Sequence, residues 1–412
     1  MLFRWVFFIL IIIGFNWYSS IAVKTITKNP WIYYAYILIN LLIIMNFVIQ
    51  IIFKTFSVYF FYSLGLVLVS VIFQISVIAF LVFEDIIRLP VWIYRIFNNG
   101  ITDSLSYIPQ RRLFISQLSI LLASIPASAL FLGMLRGKYN YKVIKHQLSF
   151  NRLPKDFNGF KIVHISDFHC GSFDNKEKLS YGIDLINKQE PDIILFTGDM
   201  VNNIADEILP WKSLISSLNA PHGKYAVLGN HDYGDYNSWN SAEEKVNNFK
   251  KLIALQNEMG FKMLNNSSEK IKVNQSTIDL LGVENWGSGF KQKGNLDLAL
   301  ANTKSNDFKI LMSHDPTHWK EKVLSHKQHI DLTLSGHTHG MQFGIEIPGI
   351  IKWSPAKYRY KHWAGIYQEL NKVINVNRGF GFLAYPGRVG IYPEITLITV
   401  SYTHLTLPTI AI

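Results

Sequence analysis

Four stretches of this chain contain no charged residue, and each is about as long as a bilayer is thick. They run over about Trp5–Val23, Trp31–Phe53, Ser57–Phe83 and Leu113–Leu135. A helix needs about 20 apolar residues to cross a hydrocarbon core roughly 30 Å thick. No water-soluble core needs four uncharged stretches so closely spaced, so the N-terminal third is expected to be an all-α transmembrane region of about four helices. Trp17, Tyr18, Trp31, Tyr33, Tyr34, Tyr59 and Tyr62 sit near the run ends, where interfacial aromatics belong. The last run carries Ser116, Ser119, Ala123, Ser124, Ala127 and Ala129, small residues that allow close helix packing. Pro126 is expected to kink that run without stopping it from spanning. A cleaved signal peptide is the rival reading of the first run, but Ser20-Ile21-Ala22 is a poor cleavage site and the apolar core is long.

The charge of the chain divides unevenly. Residues 1–150 hold 12 Lys/Arg against 3 Asp/Glu, a balance of +9, and residues 151–412 hold 28 against 26, a balance of +2. A basic excess flanking apolar runs suits anionic lipid headgroups better than a nucleic-acid groove, so membrane lipids are the expected partners and nucleic acid is not. A single cysteine, Cys170, excludes an intramolecular disulfide framework and any cysteine-based zinc or iron–sulfur site. With four spans, six basic residues fall on each side of the membrane, so the positive-inside rule does not set the orientation. The tight cluster Arg136, Lys138, Lys142 and Lys145 leans the following domain toward the cytoplasmic side of a bacterial cytoplasmic membrane.

From about Leu148 the texture changes to apolar strands alternating with amphipathic helices, which argues for an α/β layered domain with much parallel pairing. Strands are expected at Lys161–Ser166, Asp192–Thr197, Lys224–Leu228, Thr277–Val283, Phe308–Ser313, Asp331–Ser335, Lys372–Val376 and Glu394–Val400. Helical periodicity appears at Lys176–Gln189, Asp206–Leu218, Ala242–Met259 and Leu296–Thr303. The division is then 1–138 for the membrane region, 139–158 for a juxtamembrane linker and 159–400 for the α/β domain. Residues 401–412 continue no recognisable element and read as a foreign or disordered tail.

Five strand ends carry the polar residues that matter: Asp167 and His169; Asp199; Asn230, His231 and Asp232; His314; and His337 with His339. Ligands of an open α/β sheet bind outside the carboxyl ends of its strands, so parallel pairing would gather these side chains on one rim. Asp167, His169, Asp199, Asn230, His314, His337 and His339 are too many donors for one tetrahedral ion and suit two ions sharing a carboxylate. Oxygen and imidazole donors without thiolate point to manganese, iron, zinc or cobalt rather than calcium. Two such ions about 3.5–4 Å apart can clamp a phosphoryl oxygen for in-line displacement by a bridging hydroxide.

At these residues the sequence resembles the calcineurin-like metallophosphoesterase family over about Phe160–Val400. It is most similar to the membrane-attached bacterial branch, through Gly336-His337-Thr338-His339-Gly340 and the downstream segments Asn377–Gly381 and Pro393–Leu397. The resemblance implies a four-layer αββα sandwich with two central sheets. It also implies that Asp167, His169 and His339 hold one of two divalent metals, that Asp199 bridges both, and that Asn230, His314 and His337 complete the second. His231 would protonate the leaving oxygen or stabilise the transition state, oriented by Asp232. Two positions depart from the branch: Met341 stands where a second glycine often follows the signature, and Asn202 where an acidic residue often follows the bridging aspartate.

The expected function is a membrane-anchored, dinuclear-metal phosphohydrolase acting on a phosphoester or pyrophosphate, with tethering favouring a lipid-linked substrate. The alternatives are a phosphodiesterase or phosphatase for soluble nucleotides or small phosphoesters, and a non-catalytic metal-binding membrane protein. Other residues read more blandly. His164 is expected to be a packed histidine, and His222, His318, His326, His329 and His362 surface or turn residues. Trp239, Trp286, Trp353 and Trp363 are expected to pack in the core, while Arg378 and Arg388 are candidate phosphate contacts.

Overall fold

The computed structural model describes residues 2–53, 58–97, 109–347 and 349–403. The chain forms two compact units, one of Met1–Leu135 with Ala384–Gly387, the other of the remaining residues.

The first unit is built from four helices, α1 (Leu2–Ile26), α2 (Pro30–Ile52), α3 (Val58–Phe97) and α4 (Pro109–Leu135). All four are long and apolar enough to cross a membrane. Asn29 caps α2 by accepting the Trp31 N–H at 3.0 Å, with Pro30 at the first helical position, where its missing N–H costs nothing. The helix α3 runs past the uncharged stretch to include Glu84 and Asp85. Asp85 takes Arg112 at 2.8 Å and Glu84 takes both Arg111, at 3.4 Å, and Arg112. Polar side chains elsewhere in the unit meet one another: Gln74 donates to Asn40 at 3.0 Å and to Ser70 at 3.1 Å, with both residues buried.

The second unit opens with β1 (Lys142–Phe150), β2 (Lys161–Ile165), α5 (Lys176–Asn187) and β3 (Ile193–Phe196). There follow α6 (Lys212–Ser216), β4 (Lys224–Ala226), α7 (Ala242–Glu258), β5 (Phe261–Met263), β6 (Ser267–Val273) and β7 (Ser276–Gly282). Next come α8 (Leu296–Leu300), β8 (Lys309–Met312), β9 (Leu332–Ser335), β10 (Ile345–Ile347) and β11 (Ile351–Trp353). The last elements are β12 (Gly365–Glu369), β13 (Lys372–Val376) and β14 (Glu394–Tyr402). One six-stranded sheet has the order β1-β14-β2-β3-β4-β5 and the other β12-β13-β9-β8-β7-β6. The strands β2 to β5 run parallel in the first, and β7, β8, β9 and β13 in the second.

Three apolar layers define the architecture. Ile162, Leu195 and Val227 of the first sheet meet Leu280, Ile310 and Leu334 of the second in one buried cluster. The outer face of the first sheet packs on α5, α6 and α7 through Ile183, Ile215 and Leu252. The outer face of the second packs on α8 and a single π turn through Leu300, Trp319 and Val323. This is the αββα sandwich. A fully buried residue of this kind contributes about 1.5–3 kcal/mol.

Several boundaries differ from expectation. The expected linker 139–158 contains β1, which pairs along its whole length with β14. Its side chains alternate between exposed and half-buried, and its partner lies some 250 residues away, so no local pattern marks it. The domain does not stop at residue 400: Ser401 and Tyr402 pair with Ser149 and Phe150. Residues 404–412 lie outside the described residues. The expected helix Asp206–Leu218 is split into a short turn, Ala205–Ile208, and α6, because Pro210 has no N–H to give a continuous helix.

Candidate metal centre

Parallel pairing sends β2, β3 and β4 of one sheet and β8 and β9 of the other into loops at a common rim. The loops are knitted by backbone bonds: Asp167 N–H donates to Gly198 O at 2.9 Å, His169 N–H to Asp199 O at 3.1 Å, and Gly336 N–H to His314 O at 2.9 Å. Glycine is required where they cross. A Cβ on Gly198 (φ +99°) would meet Gly229 N at 2.4 Å, and one on Gly336 would meet Ser166 Oγ at 1.9 Å.

Asp167, His169, Asp199, His337 and His339 all have φ between +49° and +70°. L-residues persist in this left-handed region only where the surroundings over-determine them. The strand therefore does not run on past its end, and each ligand-bearing side chain is turned inward.

Two groups of potential metal ligands result, Asp167 with His169 and His339, and Asp199 with His314 and His337. In the first, His169 Nε2 lies 3.0 Å from His339 Nε2, which lies 3.1 Å from Asp167 Oδ1. In the second, His314 Nε2 lies 3.2 Å from both His337 Nδ1 and Asp199 Oδ2. The groups adjoin at Asp199, whose Oδ2 is also 3.6 Å from His169 Nε2. Burial raises both carboxyls, but the neighbouring imidazoles outweigh it and hold Asp167 and Asp199 below the usual carboxylate range. Burial alone would lower His314, yet Asp199 and Asp167 push it up to about 10, so a cation there displaces a proton.

The outer atoms fit this donor set. His314 Nδ1 sits 2.7 Å from Thr197 O, which fixes N–H on that side and leaves Nε2 with its lone pair. His337 Nε2 meets Tyr360 Oη at 2.9 Å and Asp315 Oδ2 at 3.4 Å, leaving Nδ1 for a ligand. Asn230 Nδ2 donates to Tyr236 Oη at 2.9 Å, while its buried Oδ1 has no hydrogen-bond partner. A buried orphan acceptor is costly in a protein and natural beside a cation. The seven residues fit two divalent ions.

Asp232 does something other than expected. Its carboxylate accepts N–H groups from Asp199 and Gly229 at 2.9 Å and from Met200 at 2.8 Å, fastening two ligand loops together. His231 is oriented instead by a backbone carbonyl, with Nδ1 2.7 Å from Asn202 O. Its own N–H donates to Asp199 Oδ1 at 2.8 Å, and its ring lies 5.0 Å from His169 and 4.4 Å from Tyr236. The buried Asn202 keeps an acid nearby: Glu207 accepts the Asn202 N–H at 2.5 Å.

Other expectations are corrected. Arg378 reaches Glu394 at 2.5 Å and Glu346 at 2.6 Å. Arg388 is fully buried and holds the carbonyls of Gly379 and Gly381 at 3.2 and 2.6 Å, with His339 Nδ1 at 3.2 Å. Both guanidinium groups are engaged by the protein itself, around the Asn377–Gly381 segment. His318 and His362 are buried rather than superficial, against Ser313 Oγ at 2.8 Å and Glu369 at 3.1 Å. His164 is a packed histidine as expected, between Thr197 Oγ1 at 2.9 Å and Asn375 Nδ2 at 2.8 Å. Of the four tryptophans, Trp286 and Trp363 are buried. Sequence reasoning missed Tyr236, Asp315 and Tyr360 and noted Asn202 only as a departure from the branch; adjacency to a motif could have signalled Tyr236 and Asp315, whereas nothing local marks Tyr360.

A two-sheet sandwich whose rim gathers two adjoining groups of potential metal ligands has the arrangement of a metal-dependent hydrolase. The profile of calcineurin-like phosphoesterases matches residues 160–341, and a profile described as a probable calcineurin-like phosphoesterase transmembrane domain matches residues 3–138. The uncharacterized metallophosphoesterase YkuE of Bacillus subtilis is 31% identical over 299 residues, which are 68% of this chain and 95% of that protein. An uncharacterized metallophosphoesterase of Aquifex aeolicus is 26% identical over 282 residues, 66% of this chain and 98% of the relative. A transmembrane protein with metallophosphoesterase domain from Danio rerio is 25% identical over 291 residues, 68% of this chain and 62% of the relative. The chain belongs to the calcineurin-like metallophosphoesterase family, hydrolases acting on phosphoesters, and carries four transmembrane-capable helices before its catalytic domain.

Proposed function

We propose that this protein is a membrane-anchored phosphohydrolase that cleaves a phosphoester or pyrophosphate of a lipid-linked substrate. The observation that carries the reading is the meeting of the two ligand groups at Asp199, 3.6 Å from His169 and 3.2 Å from His314. Asp167, His169 and His339 would hold one divalent ion, Asn230, His314 and His337 the other, and Asp199 both. Two bound cations, manganese foremost, supply positive charge to the phosphoryl oxygens and acidify a water.

The chain's own groups do the rest. Asp232 fixes the spacing of the Asp199 and Asn230 loops. Tyr236 turns the Asn230 amide so that oxygen, not nitrogen, faces inward. His231, anchored through Nδ1 on the Asn202 carbonyl, keeps Nε2 to donate a proton to the departing oxygen as a general acid.

The lipid-linked substrate is supported by the four spanning helices, which hold the domain at the bilayer and raise the effective concentration of anything embedded there. The test is turnover by the full-length protein, loaded with manganese in lipid nanodiscs, of phospholipids, nucleotide-linked lipids and soluble phosphoesters. Preference for the embedded substrates is expected. Equal or faster cleavage of small soluble esters would defeat lipid specificity while leaving the metal chemistry standing.

A further inference from the structure

A short antiparallel hairpin in the sandwich unit inverts the usual distribution of side chains. β10 and β11 pair Ile345 with Trp353, Glu346 with Lys352 and Ile347 with Ile351. The two-residue period of a strand puts Ile345, Ile347, Ile351 and Trp353 on one face. On that face Ile345 is 50% exposed, Ile347 48% and Ile351 40%, while Ile350 beside the turn is 80% exposed. The polar members of the hairpin have protein partners instead: Glu346 pairs with Arg378 at 2.6 Å, and Lys352 donates to Ala364 O at 2.5 Å. The face that a water-facing hairpin would make polar is aliphatic here.

The residues that follow complete the pattern. Lys357, Tyr358, Arg359 and Lys361 are all exposed, and Lys357 Nζ lies 5.1 Å from the centre of the Tyr358 ring. Among the described residues neither Lys357 nor Arg359 pairs with a carboxylate, while Lys361 lies 3.1 Å from Glu369 Oε1 and would exchange that exposed partner for a phosphate. Scattered apolar residues on a surface need no explanation. An aliphatic tip flanked by a tyrosine and three cations does, and it matches segments that lie in the headgroup region of anionic membranes.

We propose that the β10–β11 hairpin docks on the surface of an anionic bilayer, with its isoleucines among the acyl chains and Lys357, Arg359 and Lys361 on the lipid phosphates. This goes beyond the phosphohydrolase reading and does not depend on which phosphoester is cleaved. Tyr360, between two of these cations, is hydrogen-bonded to His337, so a docked hairpin would gather lipid phosphates next to residues that hold the metal centre.

The test places a nitroxide at Ile350→Cys in the full chain in nanodiscs, with Leu298→Cys on α8, 56% exposed, as the reference. Cys170 is 1% exposed and takes no label. Position 350 should relax more with oxygen and less with a water-soluble nickel chelate than position 298. The contrast should be larger in phosphatidylglycerol than in phosphatidylcholine, and smaller once Lys357, Arg359 and Lys361 are changed to Gln. Chelate access at 350 equal to that at 298 would overturn the proposal. So would shielding from both agents, which would mean a protein partner or a second copy. A label at Ile347→Cys repeats the measurement should the first variant fold poorly.

Discussion

The two units of this molecule bury opposite things. In the helical unit Phe53, Leu121 and Ile125 are more than 60% exposed, while Asn40, Ser70 and Gln74 are buried and hydrogen-bonded to one another. In the sandwich the interior is aliphatic and aromatic, and buried polar groups concentrate at the loop rim where the metal ligands gather. The difference follows from the solvent. Lipid gives apolar side chains no reason to hide, so a bundle coheres through polar contacts and close packing. Water drives apolar surface inward, and a polar group stays buried only where something compensates it. Buried polarity is therefore ordinary in the first unit and a marker of function in the second.

The sharpest way to break this contrast is at the rim. His231→Ala should lower hydrolysis on the order of 10²–10⁴-fold while bound metal stays near two equivalents by elemental analysis. Loss of metal together with activity would make His231 a structural support rather than the proton donor.

Apolar truncation should separate the units next. Trp319→Ala removes a fully buried ring from the second sheet's outer core and should cost about 3–5 kcal/mol in urea unfolding of the micellar protein. Leu121→Ala, at a position 64% exposed, should stay within about 0.5 kcal/mol. Similar losses at both positions would show that the helical unit packs as a water-soluble core does.

His164 gives a pH-dependent version of the same test. Burial holds its ring down to about 4, against the smaller pull of Glu394 and Asp167. The unfolded chain therefore takes up a proton between about pH 6.5 and 4 that the folded chain refuses. Its contribution is full above pH 6.5 and falls, by up to about 3 kcal/mol, as pH drops through that window. His164→Gln should flatten this part of the stability profile relative to the native chain. A modest gain is expected at Met341, whose φ of +47° a glycine adopts without strain. Met341→Gly should stabilise the sandwich by about 1 kcal/mol and raise its melting temperature slightly.

The sequence was most readable where it obeyed one solvent at a time. Uncharged runs marked the four helices, and apolar strands ending in Asp or His marked the six candidates that the structure gathers into two groups, with Asn230 on a neighbouring loop. Legibility failed where the partner was remote or was backbone. β1 looked like a linker because its partner is the last strand. Asp232 was expected to support His231 from the family resemblance, whereas the orienting atom is the carbonyl of Asn202, a group every residue carries. The buried histidines His318 and His362 were misplaced because nothing local distinguishes a histidine packed on Ser313 or Glu369 from one in a turn.

The position of β14 has a consequence for how the protein is made. This strand lies between β1 and β2, yet Glu394–Tyr402 is translated after every other strand of the domain. Until the ribosome has delivered it, β1 has no neighbour and one flank of β2 lies open, although the four hydrophobic helices have long since been inserted. The nascent enzyme is thus membrane-bound well before its sheet can close, and long-range pairing of this kind is slow and exposed to misassembly. An open sheet edge throughout synthesis, in need of protection until the last strand arrives, follows from the strand order.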